Sequence, residues 1–182
     1  PGMEPAAQVN LHEEFHQALH LAGACSLFFH VGAKDGGRYP LSGVGDVNRH
    51  ALFAETNYTL KAESGRAGFI VPTNIATDAA TSAFFGHLVE KKAISSLYDL
   101  ENRAKLFPEV DSRQRFCCFT LAPSDTISVA CYMTHPKQLE DKRRIAHLSI
   151  EDFAGINPNT GPCPLFRCEA DAALAVKLYQ KV

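Results

Sequence analysis

The chain has 182 residues, a formal net charge of −2, and a composition that is 46% hydrophobic and 21% charged. That is enough for one domain with a sizeable core and short for two. The near-neutral balance excludes a surface basic enough to bind nucleic acid everywhere, and no apolar run of about 18 residues is present to cross a membrane.

Residues 11–31 place Leu11, Phe15, Ala18, Leu19 and Ala22 at helical spacing, which predicts an amphipathic helix continuing into the apolar segment SLFFHV. His12, His16 and His20 repeat every four residues on it. Without matching partner ligands they read as a solvent face and not a metal site. Residues 32–46 are glycine-rich and form a loop. The string Gly43-Val44-Gly45 lacks the preceding buried strand that a phosphate cradle needs. Asp46 stands where it can cap a helix across 47–62, whose apolar face uses Leu52, Phe53 and Leu60.

The segment GRAGFIVP, 65–72, is apolar on both faces, as a strand buried between helices is. A loop, TNIATD, follows, and Asp78 can cap the next helix, AATSAFFGHLVEKK. Strands are predicted at 94–102 (ISSLYDLEN) and 115–121 (RFCCFTL), joined by a loop carrying Leu106-Phe107-Pro108. Beyond the turn APSD comes a strand, TISVACYMT, then a polar stretch at 135–144 that reads as an exposed helix start. IAHLSIEDF gives a short strand, NPNTGPCPLF a loop, and CEADAALAVKLYQKV a terminal helix.

Cys25, Cys117, Cys118, Cys131, Cys163 and Cys168 show no CxxC pair and no matched Cys/His spacing. Their apolar neighbours predict mostly buried free thiols in a reducing, cytoplasmic compartment. No GxSxG string supports an acyl-transfer hydrolase. Arg103, Lys105, Arg113 and Arg115 gather around one loop. Lys142-Arg143-Arg144 form a second basic patch that reads as a solvated face.

The block from Gly65 to Leu121 closely resembles the second half of the adenine-specific DNA methyltransferase domain of restriction–modification and phage-defence enzymes. The likeness extends over about 36–182. It takes in Arg38 through Asn48 to Phe53 and Glu55. It also takes in the run Asn157, Pro158, Asn159, Thr160, Cys163, Pro164, Phe166 and Arg167. The resemblance implies an α/β fold: a partial Rossmann-like methyltransferase sheet holding the last three strands, with flanking helices and a short carboxyl-terminal extension. Strands 65–72, 94–102 and 115–121 are expected side by side, the last antiparallel and between the other two. The implied division is a helical segment at 1–35, the second half of the methyltransferase core at 36–125, and an extension toward target recognition at 126–182.

Adenine methylation in a duplex requires the base to leave the stack. The resemblance places Phe107 and Pro108 against that base, where stacking is worth about 1–3 kcal/mol on comparable platforms. The alternative for Phe107 is a turn residue filling local core. Lys105, Arg113 and Arg115 are the expected contacts to flanking DNA phosphates, and Arg38, Asp46 and Asn48 form a possible active-site loop. The family uses S-adenosylmethionine. The sequence contains neither its glycine-rich first-strand motif, nor an acidic ribose ligand after a second strand, nor its Asn-Pro-Pro-aromatic loop. Asn157-Pro158 is not that loop, because the second proline is missing. The expectation is therefore a part of such an enzyme, inactive alone, with no catalytic residue, metal or cofactor of its own. Double-stranded DNA is its partner through the parent enzyme. A non-catalytic DNA- or protein-binding module derived from the fold is the alternative. The strand starting at Arg66 is expected to leave an open sheet edge and an uncovered face, closed by homodimerisation or by residues 11–31.

Overall fold

The computed structural model describes residues 5–30, 37–156 and 163–179. Helices α1 (Pro5–Phe29) and α2 (Arg49–Leu60) precede strand β1 (Ala67–Pro72). A single turn α3 (Asn74–Thr77) and helix α4 (Ser82–Glu90) lead to β2 (Ile94–Glu101). Then come β3 (Arg115–Leu121), β4 (Thr126–Met133), β5 (Ala146–Ser149), α5 (Ile150–Ile156) and α6 (Glu169–Tyr179).

The five strands form one sheet in the order β1-β3-β2-β4-β5. β3 is antiparallel to both β1 and β2 and lies between them, as the resemblance implied. β4 pairs parallel with β2, and β5 pairs antiparallel with β4. The segment after residue 125 thus extends the same sheet. Because β1 and β2 both oppose β3, they run in the same direction, and α4 makes the crossover that a parallel pair requires.

One sheet face carries the main core. Phe69, Phe119, Leu97 and Val129 fall in one register row and pack with Phe84, Phe85 and Leu88 of α4, Ala51 and Ala54 of α2, and Phe153 of α5. On α4 the buried positions Phe84, Phe85, Leu88 and Val89 follow the i, i+3, i+4 spacing of one helix face. The opposite face is covered at one end only, where Leu139 and Ile145 pack on Leu100, Ala130 and Met133. Toward β1 that face stays open, with Gly68, Ile70 and Pro72 exposed.

Several sequence expectations change in the structure. Asp46 is not the cap of α2; Asn48 occupies that position with extended dihedrals and makes no side-chain cap bond. The TNIATD loop contains α3, and Asp78 caps a 3-10 turn (Ala79–Thr81) that runs into α4, accepting from Ala80 N at 3.3 Å. Residues 135–144 form two 3-10 turns, Pro136–Glu140 and Lys142–Arg144. The strand predicted in IAHLSIEDF stops at Ser149, where the Ser149 hydroxyl accepts from Asp152 N and the chain turns into α5. Helix α1 does not close the sheet edge: residues 10–28 are all exposed, so β1 remains an unpaired edge of the described sheet. Asn157, Pro158, Asn159 and Thr160 lie outside the described residues.

Among the described residues, no helix is long and apolar enough to cross a membrane. Cys117, Cys131 and Cys163 are buried, Cys118 and Cys168 partly so, and Cys25 is exposed on α1.

Candidate nucleic-acid interface

The carboxyl ends of β1, β2 and β4 meet the amino end of β3 at one end of the sheet, because Pro72 pairs with Phe116, Glu101 with Arg115 and Leu100 with Met133. Ligands of open α/β sheets bind beyond the carboxyl ends of the strands. The 102–114 loop projects there, and its shape is set by one side chain. Asn102 is fully buried. Its Nδ2 donates to the carbonyls of Phe107 (2.9 Å) and Val110 (3.0 Å), and its Oδ1 accepts from Phe107 N at 3.1 Å. A buried amide can serve donors and acceptors together, so one residue replaces the backbone pairing that the loop lacks.

Phe107 is held by that clamp with 38% of its surface exposed. Its ring packs edge-on with Phe116, centroids 5.0 Å apart at 89°. Leu106 and Val110 beside it are also exposed, and Pro108 is exposed on the loop surface. Lys105, in the left-handed region at φ 51, donates from Nζ to Val110 O at 3.1 Å. Arg113 forks onto Asp111 through Nε (3.1 Å) and Nη2 (3.2 Å). The hydrogen bond from Arg113 holds the Asp111 carboxyl below the usual carboxylate range. Exposed pairs of this kind contribute little and rearrange easily.

Arg115 is different. It forks onto Asp99 through Nε (3.1 Å) and Nη2 (2.5 Å), and Asp99 is fully buried at the end of the core-facing register column. The same carboxylate accepts from the Thr73 hydroxyl at 2.6 Å and from Tyr132 N at 3.0 Å. Buried charge needs such compensation. Tyr132 sits in a bulge of β4, opposite Asp99, with φ 57. That left-handed backbone is costly for a non-glycine residue. The bond to Asp99 holds it, and the exposed tyrosine ring is thereby fixed 4.9 Å from the Arg115 guanidinium carbon. Asp99 thus ties together the ends of β1, β3 and β4. Asp99, Asn102, Thr73 and Tyr132 were not among the sequence candidates. The signal for Asp99 was a lone acid inside an apolar strand, at a position shared with Leu97, where a carboxylate requires a partner.

A cleft of about 300 Å³ runs between the end of β1 and the basic loop, lined by Thr73, Asn74, Thr77, Arg113 and Arg115. Asn74 Oδ1 is buried without a hydrogen-bond partner.

Arg38, Asp46 and Asn48 are exposed on the earlier loop. None forms a hydrogen bond or ion pair with residues 102–115 among the described residues; the Arg38 amide donates instead to Phe28 O at 3.1 Å. This loop is built for its own closure. The buried Glu55 carboxylate accepts from Leu41 N (3.2 Å), Ser42 N (2.8 Å) and the Ser42 hydroxyl (2.6 Å). A Cβ at Gly43 would lie 2.1 Å from Phe29 O and 2.5 Å from Tyr39 O. The described residues of this loop therefore do not fit an S-adenosylmethionine site. The buried acid beside the loop, Glu55 of α2, is spent on the loop's own amides and the Ser42 hydroxyl, and the space at Gly43 is filled by backbone.

No family model matches the chain, and no curated protein matches it. Among solved structures, the methyltransferase subunit of a type I restriction–modification system from Streptococcus thermophilus superimposes with a TM-score of 0.53 at 15% identity, over 75% of this chain. The type IIG restriction endonuclease BpuSI gives 0.41 at 20% identity, over 52% of this chain and 11% of that one. The chain spans 35% of the length of the Streptococcus thermophilus subunit. Over three quarters of its length, the chain shares the α/β fold of part of that methyltransferase subunit.

Proposed function

We propose that this chain is the target-base half of an adenine-specific, S-adenosylmethionine-dependent DNA methyltransferase of the restriction–modification or phage-defence type, with the donor site and the transfer chemistry supplied from outside the described residues. The observation that carries this reading is the Asn102 clamp. It spends a fully buried amide on presenting a half-open aromatic ring at the ligand-binding end of the sheet. In this reading an adenine turned out of the duplex stacks on Phe107. Pro108 shapes the rim, and Lys105, Arg113 and Arg115 approach the flanking phosphates. The fold likeness to the methyltransferase subunit supports it.

Calorimetric titration with S-adenosylmethionine, and separately with a duplex carrying one adenine opposite an abasic site, tests the proposal. It expects no heat with the former and binding with the latter, tighter than to the fully paired duplex. Binding of the methyl donor, or equal affinity for both duplexes, would overturn it.

The open edge of β1 and the bare face at Gly68, Ile70 and Pro72 favour a second reading, a non-catalytic binding module that pairs through β1 with a second copy of the chain. Light scattering decides it. A dimer dissociated by an added proline at Phe69 supports this reading, and a concentration-independent monomer refutes it.

A further inference from the structure

We propose that the duplex path continues from Arg115 across Tyr132 into a second cationic cleft, where Arg144 and Arg167 hold backbone phosphates. This rests on the reading of the 102–115 loop as a DNA-facing surface and adds the residues that fix the duplex beside it.

The cleft, about 460 Å³, lies between the Lys142–Arg144 turn and the start of α6 and is lined by Arg143, Arg144, Arg167, Asp141 and Glu169. Arg143 and Arg144 from one turn and Arg167 from a segment distant in sequence thus line one concavity. Of the patch at Lys142-Arg143-Arg144, Arg143 and Arg144 line this cleft. Asp141 takes Arg143 in a fork, both distances 2.9 Å. Arg144 and Arg167 form no ion pair among the described residues. Arginines left unpaired in a concave site suit phosphate oxygens, which match the guanidinium fork. The two acids on the rim leave the cleft only mildly positive, which disfavours tight binding of a free multivalent anion. A duplex held at several points is compatible with that charge.

Tyr132 connects this cleft to the base-side loop. The Arg115 and Arg167 guanidinium carbons lie 4.9 Å and 5.8 Å from the same Tyr132 ring centroid. They are no farther apart than those two distances laid end to end, so the two basic regions adjoin at Tyr132. The strained backbone at Tyr132, held by Asp99, places the ring within reach of both. Arg115 is already paired with Asp99, whereas Arg167 meets the ring with no ion pair of its own among the described residues.

The test measures anisotropy of a labelled 24-base-pair duplex with one adenine opposite an abasic site, between 50 and 200 mM salt. It compares wild type, the Arg144→Ala/Arg167→Ala pair, the Arg144→Lys/Arg167→Lys pair and Phe107→Ala. With each phosphate contact contributing about 0.9 to the slope of log K against log salt, the alanine pair lowers that slope by about 1.8. Its loss of affinity over the salt range is then about 12-fold smaller than that of wild type. The lysine pair, which keeps the charge, retains the slope. Phe107→Ala lowers affinity at every salt concentration and leaves the slope unchanged. A wild-type slope in the alanine pair overturns the second cleft while leaving the base-side reading intact. A reduced slope with no effect of Phe107→Ala supports the cleft and removes the base-side assignment. Absence of duplex binding by the wild type overturns both.

Discussion

Replacing Asp99 by alanine removes the one carboxylate that serves three strand ends. Taking one partner from a buried ion pair costs about 3–5 kcal/mol, because the other charge is left without compensation. Here the stranded partner is Arg115, whose side chain keeps 34% exposure. Water can reach it, so the lower end applies and the expected loss is about 3 kcal/mol. Arg115→Met strands the fully buried carboxylate instead, with only the Thr73 hydroxyl and Tyr132 N–H left to it. That costs more, about 5 kcal/mol. Asp99→Leu with Arg115→Met removes both charges and should lie no more than about 2 kcal/mol below wild type, far less than the sum of the singles. Urea midpoints at neutral pH with a shared m-value give these differences. A loss under about 1 kcal/mol for Asp99→Ala, or singles that simply add, would show that the buried pair is not coupled as described.

Four further outcomes follow from the geometry. Asn102→Ala unclamps the 103–111 loop; stability should fall by about 1–3 kcal/mol and limited proteolysis should cut the loop first, whereas an unchanged cleavage pattern would mean that the loop holds itself. Gly43→Ala sets a methyl against two carbonyls and should cost about 1–3 kcal/mol in urea melts, with no loss if the 38–48 loop shifts freely. Burial lowers the pKa of His50 against an opposing pull from Asp78. The unfolded chain then binds the extra proton below about pH 6.5, so stability falls with pH there, by at most about 1.4 kcal/mol per unit, and the His50→Gln variant should lose that dependence. Burial pushes the Cys131 thiol up to about 12 and raises Cys117 and Cys163 as well. Thiol reagents at pH 8 should therefore label Cys25 in the native protein and reach these three only after denaturation.

The sheet was legible in the sequence because its signals are local. GRAGFIVP and RFCCFTL are short, β-branched or aromatic apolar runs bounded by turn residues, which favours strands, and the Phe84-Phe85-Leu88 spacing fits a helix packed on them. The order of the three strands came from resemblance and not from periodicity, since pairing partners leave no mark on a single strand. The turn into α5 at Ser149 was hidden by an apolar run that a short strand and a buried helix start share. The candidate site was legible in part. Phe107 and the cations around it stand out as residue types, but what fixes them does not. Asn102 and Asp99 act through partners 5 to 33 residues away, and a single sequence gives no distances between such groups. For the same reason Arg167 read as part of a loop, and only folding brings it beside Tyr132 and Arg144.

The account stands or falls on what Phe107 does to an unpaired adenine. Affinity for a duplex with one adenine opposite an abasic site, measured against the fully paired duplex for wild type and Phe107→Ala, tests that directly. Stacking on the ring predicts that the wild type prefers the unpaired adenine and that Phe107→Ala loses about 1–3 kcal/mol of that preference, roughly a 5- to 150-fold change. Equal preference in the two proteins would place Phe107 in the local packing with Phe116 alone and contradict the target-base assignment.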